Sequence, residues 1–230
     1  MNKPRYFVLI PAAGVGARLG GTLPKQYLKL DDNAMINHTI MAFLNVSAIS
    51  KVFVLLSPTD DYWETEGLQE SDKLKVLHCG GATRAQTVKN GLAAIAGEIN
   101  ADDWILVHDA ARPCITVALV NKLMNELQDD PVGGLLALPI PDTVKKEENR
   151  RVHSTVPREH LWLAQTPQMF RYGLIQEALA QIGESVSTDE AQAVEALGKS
   201  PKLVVGHMSN FKVTYAEDIL FASSILKNKV

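Results

Sequence analysis

Two cations near the amino end of the chain stand in a stretch that could handle phosphate. Pro11-Ala-Ala-Gly-Val-Gly-Ala-Arg-Leu-Gly-Gly-Thr-Leu-Pro-Lys25 follows a β-rich run and sets Gly14, Gly16, Arg18, Pro24 and Lys25 in a GxGxR…PK pattern. Small residues at the carboxyl end of a strand let the backbone approach phosphate oxygens and turn N–H groups toward them. Attack on a phosphorus atom builds negative charge on the phosphoryl oxygens and the leaving group, so fixed cations there lower the barrier. Arg18 offers a planar fork of donors, and Lys25 a compact point charge. Two common phosphate motifs fail. The dinucleotide fingerprint GxGxxG would need glycine where Leu19 stands, and a P-loop begun at Gly16 reaches Gly21 but continues with Thr22 in place of lysine. What remains is a loop suited to nucleotidyl transfer, set against the alternative of a glycine turn with two solvated cations.

A third candidate closes another β-rich run. Asp109 ends Trp-Ile-Leu-Val-His-Asp, and the carboxyl ends of strands are where open α/β sheets bind ligands. A hard carboxylate there suits Mg²⁺, which takes one or two carboxylates together with substrate phosphates. An Asp capping the turn before Arg112-Pro113 is the competing reading. The segment Gly80–Thr87 has the composition of a capped helix start, whose free N–H groups can meet polar ligand atoms.

These residues need a scaffold, and the pattern supplies one. Tyr6–Ile10, Val52–Leu56, Leu74–His78, Trp104–His108 and Gly134–Ile140 read as buried strands, with amphipathic stretches around 34–46, 84–96 and 117–128. That alternation predicts an α/β, Rossmann-like, mostly parallel sheet with helices on both faces. Thr83-Arg-Ala-Gln86, Ser187-Thr-Asp-Glu190 and Thr214-Tyr-Ala-Glu217 fit capping boxes at helix starts. The 230 residues are expected to form a single domain, with a net charge of -3 that argues against general affinity for nucleic acid or anionic membrane. No run is apolar enough for a membrane span, and the amino end lacks a signal-peptide pattern, so a cytoplasmic location is expected. Cys79 and Cys114 read as reduced, packed thiols.

One segment departs from the alternation. Between Asp142 and Val156 two short β-capable runs flank a polar turn at Glu147–Arg150, and the sizeable apolar residues are Val144, Val152 and Val156. So few cannot stabilise an isolated hairpin in water. The projecting β-hairpin arm, 142–158, is therefore expected to be ordered by packing on a second subunit rather than to be a loose surface loop.

Taken together, the loop at 11–18, Pro24-Lys-Gln-Tyr, Gly80-Gly-Ala-Thr-Arg-Ala-Gln-Thr-Val, His108-Asp-Ala-Ala-Arg-Pro and Asn210-Phe-Lys-Val-Thr resemble the 2-C-methyl-D-erythritol 4-phosphate cytidylyltransferase family, within the nucleotide-diphospho-sugar pyrophosphorylase superfamily. The resemblance spans essentially the whole chain. It implies transfer of CMP from CTP to methylerythritol phosphate with release of pyrophosphate, in non-mevalonate isoprenoid biosynthesis. It assigns Arg18, Lys25, Arg158 and Lys212 as the catalytic set and Asp109 as the magnesium residue. CTP would be held by Ala12, Ala13, Gly14, Gly16, Gly81, Ala82, Arg84, Thr87 and Asp109. The acceptor would be held by Arg112, Thr143, Val156, Arg158, Thr166 and Lys212. The family often has an acid where Ala82 stands and serine where Thr87 stands. His108, His153 and His160 are read as structural, since an acceptor phosphate is already an anionic nucleophile. A homodimer is implied, each pocket completed in trans. Transfer to another polyol phosphate, such as ribitol 5-phosphate, and a catalytically silent nucleotide-binding module are the alternatives.

Overall fold

The computed structural model describes residues 3–14, 23–182 and 188–228, so Gly16, Arg18 and Ser187 lie outside the described residues. In chain order the elements run β1 (Tyr6–Pro11), β2 (Lys29–Leu30), β3 (Asn33–Ala34), α1 (Met35–Leu44), β4 (Ile49–Leu55), α2 (Trp63–Glu66), β5 (Leu74–Leu77), α3 (Arg84–Ala94) and β6 (Trp104–Val107). They continue α4 (Val117–Leu127), β7 (Gly133–Pro139), β8 (Val144–Glu148), β9 (Arg151–Val156), β10 (Trp162–Arg171), α5 (Tyr172–Ile182), α6 (Glu190–Ala196), β11 (Lys202–Val205) and α7 (Ala216–Lys227). Seven strands form one sheet in the order β11-β7-β10-β6-β1-β4-β5. All of its neighbours run parallel except β10, which is antiparallel to both β6 and β7.

Alternate residues of β1 separate the two sides of the core, as strand geometry requires. Val8 and Ile10 pack with Ile36, Ile40 and Phe43 of α1 and Leu123 of α4. Phe7 and Leu9 pack with Val88 and Leu92 of α3 and Ile175 of α5. Both faces are thus covered by helices, which explains why the inner strands are apolar throughout. β1 lies between β4 and β6, so the chain reverses its direction of winding there. The crevice at such a reversal, beyond the carboxyl ends of the strands, is where this architecture places ligands.

Helix starts are capped as expected at Thr83, whose hydroxyl accepts from Gln86 N at 3.1 Å. The other two start slightly later than the sequence pattern suggests. Asp189 caps α6, accepting from Gln192 N at 2.9 Å. At α7 the Asp218 carboxylate accepts from Thr214 N and Tyr215 N at 2.7 and 2.9 Å. At α6 the cap is thus the carboxylate of Asp189, and at α7 Asp218 reaches back from the first turn as one half of a capping box with Tyr215.

β8 and β9 pair only with each other, forming the expected hairpin apart from the main sheet. Asn149 and Arg150 both have positive φ, 52° and 60°, which suits a tight two-residue turn. Its side chains are almost all exposed, with Val152 at 65%.

β10 and the edge strand β11 are the strands of the main sheet that sequence pattern does not reveal, and β10 bears on the site. β10 reads Trp-Leu-Ala-Gln-Thr-Pro-Gln-Met-Phe-Arg, and its register against β7 shifts between Ala164 and Gln168. Gln165, Thr166 and Gln168 are nonetheless buried. Thr166 Oγ1 accepts from Asp109 N at 3.1 Å and lies 3.0 Å from His108 Nδ1. On the far side His108 Nε2 lies 3.2 Å from the Arg112 carbonyl, which can only accept. The tautomer follows: Nε2 carries the proton, and Thr166 donates to Nδ1. This relay locks the end of β6, and with it Asp109, against β10.

Wholly buried and edge-on to Phe43, His108 has its pKa pushed down by burial to about 3 from 6.5. Between those values the unfolded chain binds a proton that native His108 refuses, so stability falls as pH drops through this window. The limiting slope is about 1.4 kcal/mol per pH unit. Urea unfolding from pH 6.5 down to about pH 4 should therefore show a steeper loss for the wild type than for His108→Gln. Equal slopes would mean that the native imidazole protonates as readily as the unfolded one.

Candidate active site

Three loops at the carboxyl ends of the strands meet around a cavity of ≈ 480 Å³. The first, after β1, contributes Pro11–Gly14; the second, after β5, Gly81–Arg84; the third, after β6, Asp109–Ala111. Lys25, Gln26, Thr87 and Lys212 complete the wall.

The first loop is tied to the scaffold before any ligand arrives. Ala12 N donates to Leu55 O at 2.9 Å, and Gln26 Nε2 donates to Ala12 O at 2.8 Å. Both backbone groups of Ala12 are thus engaged by the protein, which leaves half-buried Ala13 to face the cavity. Among the described residues, a Cβ on Gly14 would meet nothing within 4 Å. Gly80 is different: a Cβ there would lie 2.4 Å from Ala13 Cβ and 2.8 Å from Leu56 O. Only glycine lets the second loop come this close to the first. Lys25 Nζ donates to Val213 O at 2.6 Å, linking Lys25 to the segment that carries Lys212.

In the second loop Thr87 is buried, and its hydroxyl accepts from Gly81 N and donates to Thr83 O, both at 3.0 Å. It therefore shapes the loop as well as lining the cavity, where exposed Ala82 stands beside it.

Asp109 is the electrostatic centre. Its Oδ1 lies 2.9 Å from Arg84 Nε, and its Oδ2 lies 2.9 Å from Lys212 Nζ and 3.5 Å from Arg112 Nε. Burial alone would raise its pKa, but the charges of Arg84, Lys212 and Arg112 hold the carboxyl far below the usual carboxylate range. At neutral pH it is ionised. Arg84 is also forked onto buried Glu190. Burial disfavours its charged form, yet Glu190 and Asp109 more than reverse this and keep it protonated.

The acceptor-side candidates divide into two groups. Arg112 and Thr166 stand behind Asp109, with Arg112 Nη1 donating to Asn210 O at 2.8 Å and Nη2 reaching Ala164 O at 3.4 Å. Thr143, Val156 and Arg158 sit on or beside the hairpin and do not line the cavity of their own chain. Arg158 is exposed and donates to the Pro141 carbonyl.

Sequence reasoning passed over Gln26, Asn210 and Glu190 as site residues. Asn210 is fully buried and donates to Thr166 O at 2.8 Å, fixing the loop that presents Lys212. Gln26 and Asn210 sit inside the motifs around Lys25 and Lys212, and that adjacency was the available signal.

Comparison with known proteins shows the family to which the chain belongs. The profile of the 2-C-methyl-D-erythritol 4-phosphate cytidylyltransferase family matches residues 6–228. The chain is 53% identical over 227 residues to the 2-C-methyl-D-erythritol 4-phosphate cytidylyltransferase of Nitrosospira multiformis, covering 97% of this chain and 98% of that one. The protein of the same name from Dechloromonas aromatica is 50% identical over 226 residues, with 97% and 98% covered. A solved 4-diphosphocytidyl-2C-methyl-D-erythritol synthase superposes with a TM-score of 0.87 at 36% identity, over 98% of this chain and 100% of its own. The 2-C-methyl-D-erythritol 4-phosphate cytidylyltransferase of Francisella tularensis superposes at 0.84 with 33% identity, over 96% and 99%. In sequence and in fold alike, the chain belongs to the 2-C-methyl-D-erythritol 4-phosphate cytidylyltransferase family.

Proposed function

We propose that the chain transfers CMP from CTP to 2-C-methyl-D-erythritol 4-phosphate and releases pyrophosphate, a step of non-mevalonate isoprenoid biosynthesis. The observation that carries this reading is the ionised Asp109 set among Arg84, Arg112 and Lys212 in a cavity edged by the glycine loop. An acceptor phosphate oxygen attacks the α-phosphorus of CTP. One P–O bond forms, the bridge to the β-phosphorus breaks, and pyrophosphate leaves with the electron pair. Arg18 and Lys25 stabilise the charge that grows on the phosphoryl oxygens. Lys212 and Arg158 hold the acceptor phosphate in line. The backbone at Ala13, Gly81 and Ala82 contacts the cytosine. Pyrophosphate release with CTP should be strong with methylerythritol phosphate and weak with ribitol 5-phosphate. The opposite preference would replace the acceptor, and no release with either would leave a silent binding module.

Asp109 fits a magnesium ion. It is a hard, ionised oxygen donor on the cavity wall, and among the described residues no group of three His, Cys, Asp or Glu side chains surrounds it. The remaining ligands would come from the triphosphate and water, as is usual for magnesium. When bound, the ion neutralises phosphate charge. Held by Asp109, such an ion would also give this carboxylate a role in an anion-binding cavity. The reaction is assigned to the cytoplasm. Among the described residues no helix is long and apolar enough to cross a membrane, and neither Cys79 nor Cys114 is disulfide-bonded.

Two predictions concern chemistry. Arg18→Ala and Lys25→Ala should each lower kcat by about 10²-fold or more at saturating CTP. Normal turnover of either would remove it from the catalytic set. EDTA should abolish activity and Mg²⁺ restore it, while Asp109→Asn should raise the magnesium concentration needed and lower turnover together. Full activity of that variant at low magnesium would discard Asp109 as the ligand.

The hairpin is read as a dimerisation arm that carries Arg158 to the neighbouring pocket. Its scarcity of apolar side chains and the fact that Arg158 is not among the residues lining its own chain's cavity support this. Lys25→Ala and Arg158→Ala homodimers should both be nearly inactive. After subunit exchange, each mixed dimer holds one pocket with both native side chains, so activity should recover to roughly a quarter of wild type. Mixed dimers that form without recovery would place Arg158 in its own chain's pocket.

A further inference from the structure

The Thr188-Asp-Glu190 segment looks in sequence like a helix start, but its last residue is buried against Arg84 of the cavity wall. Glu190 is 1% exposed, and its carboxylate oxygens accept from Arg84 Nη1 and Nη2 at 2.6 and 3.0 Å. The remaining nitrogen of the same guanidinium, Nε, donates to Asp109 Oδ1 at 2.9 Å. Glu190 is itself fixed from β10. Gln168 Nε2 donates to Asp189 Oδ2 at 2.9 Å, and Gln168 Oε1 accepts from Ala191 N at 2.7 Å. A continuous line of contacts therefore runs from β10 through α6 and Arg84 to Asp109.

We infer that Glu190 is a positioning residue for nucleotidyl transfer, holding Arg84 so that only Nε faces Asp109 and offsetting the Arg84 charge. This rests on the reading of the cavity as the cytidylyl-transfer site. One carboxylate cannot balance Arg84, Arg112 and Lys212, so without Glu190 the guanidinium would turn more of its charge onto Asp109. Asp109 would then be less available to a second cation, and the cavity would carry one more positive charge. A role confined to anchoring α6 is a poorer account. Gln168 already pins both Asp189 and Ala191, and an anchor does not require a buried charge, which is costly to desolvate.

The test uses Glu190→Gln and Glu190→Asp in the full chain, with two measurements. One is binding of pyrophosphate by calorimetry in EDTA; the other is steady-state turnover with CTP and methylerythritol phosphate. Glu190→Gln removes one negative charge near the anion site, so pyrophosphate should bind about threefold or more tighter. Its kcat should fall about tenfold or more, as for other residues that orient a functional group from behind. Glu190→Asp keeps the charge but shortens the reach. Its pyrophosphate affinity should stay within about twofold of wild type while kcat falls. Tighter binding with slower turnover is a pattern that a loosened helix would not give. Wild-type kcat in Glu190→Gln, or weaker pyrophosphate binding, would overturn the inference. If Glu190→Gln does not fold, Glu190→Asp decides: wild-type kcat overturns the inference, and reduced kcat with unchanged pyrophosphate affinity supports it. A wild-type protein that failed to turn over these substrates would count against the proposed function, and the pyrophosphate comparison would still decide on Glu190.

Discussion

A carboxylate buried at the end of a strand is tolerable only if cations surround it, and Asp109 imposes that requirement on much of the fold. Removing a charge from water costs several kcal/mol even after relaxation. Here the cost is offset by Arg84 from the start of α3, Arg112 from the loop after β6, and Lys212 from the segment before α7. These residues are far apart in sequence. Each must be brought to the same point, so the packing of three separate segments answers to one side chain. Because the cations outnumber the carboxylate, positive charge is left over at the cavity. In a chain of net charge -3 that local excess is what could hold a triphosphate.

β10 is where the mechanical support gathers. Thr166 holds Asp109 N and the His108 ring, its carbonyl accepts from Asn210, and Gln168 fixes the first turn of α6 behind Arg84. The polar side chains that make it unlike a core strand are the ones that do this. Each is buried and hydrogen-bonded, as buried polar groups must be. Apolar replacements could fill the same volume but could not orient the end of β6.

This division explains what the sequence could disclose. Runs such as Phe7–Ile10 and Ile105–Val107 are apolar because both faces of their sheet are covered, so pattern alone identifies them. Asp109 is legible because a lone acid terminates such a run. The hairpin is legible from its two β-capable runs and polar turn. β10 is not, since Pro167 removes a ladder donor and Gln165, Thr166 and Gln168 mimic a loop. Glu190 is invisible for a related reason. Its partner Arg84 lies 106 positions away, and nothing local separates a buried Glu at a helix start from a solvated one.

The cations of the site also differ in kind, and the difference matches their expected duties. Arg84 and Arg112 are spread over several acceptors: Glu190 and Asp109 for the first, Asn210, Ala164 and Asp109 for the second. A planar fork held at both ends has little freedom left, so these two act as wall rather than as reagent. Lys212 is instead 38% exposed, and its ammonium sits on the cavity side of Asp109. A lysine stem can swing its charge from a carboxylate to an incoming phosphate without disturbing the backbone. Arginines fixed at several points and a half-exposed lysine beside them let one site be preassembled and still offer a charge to an incoming phosphate.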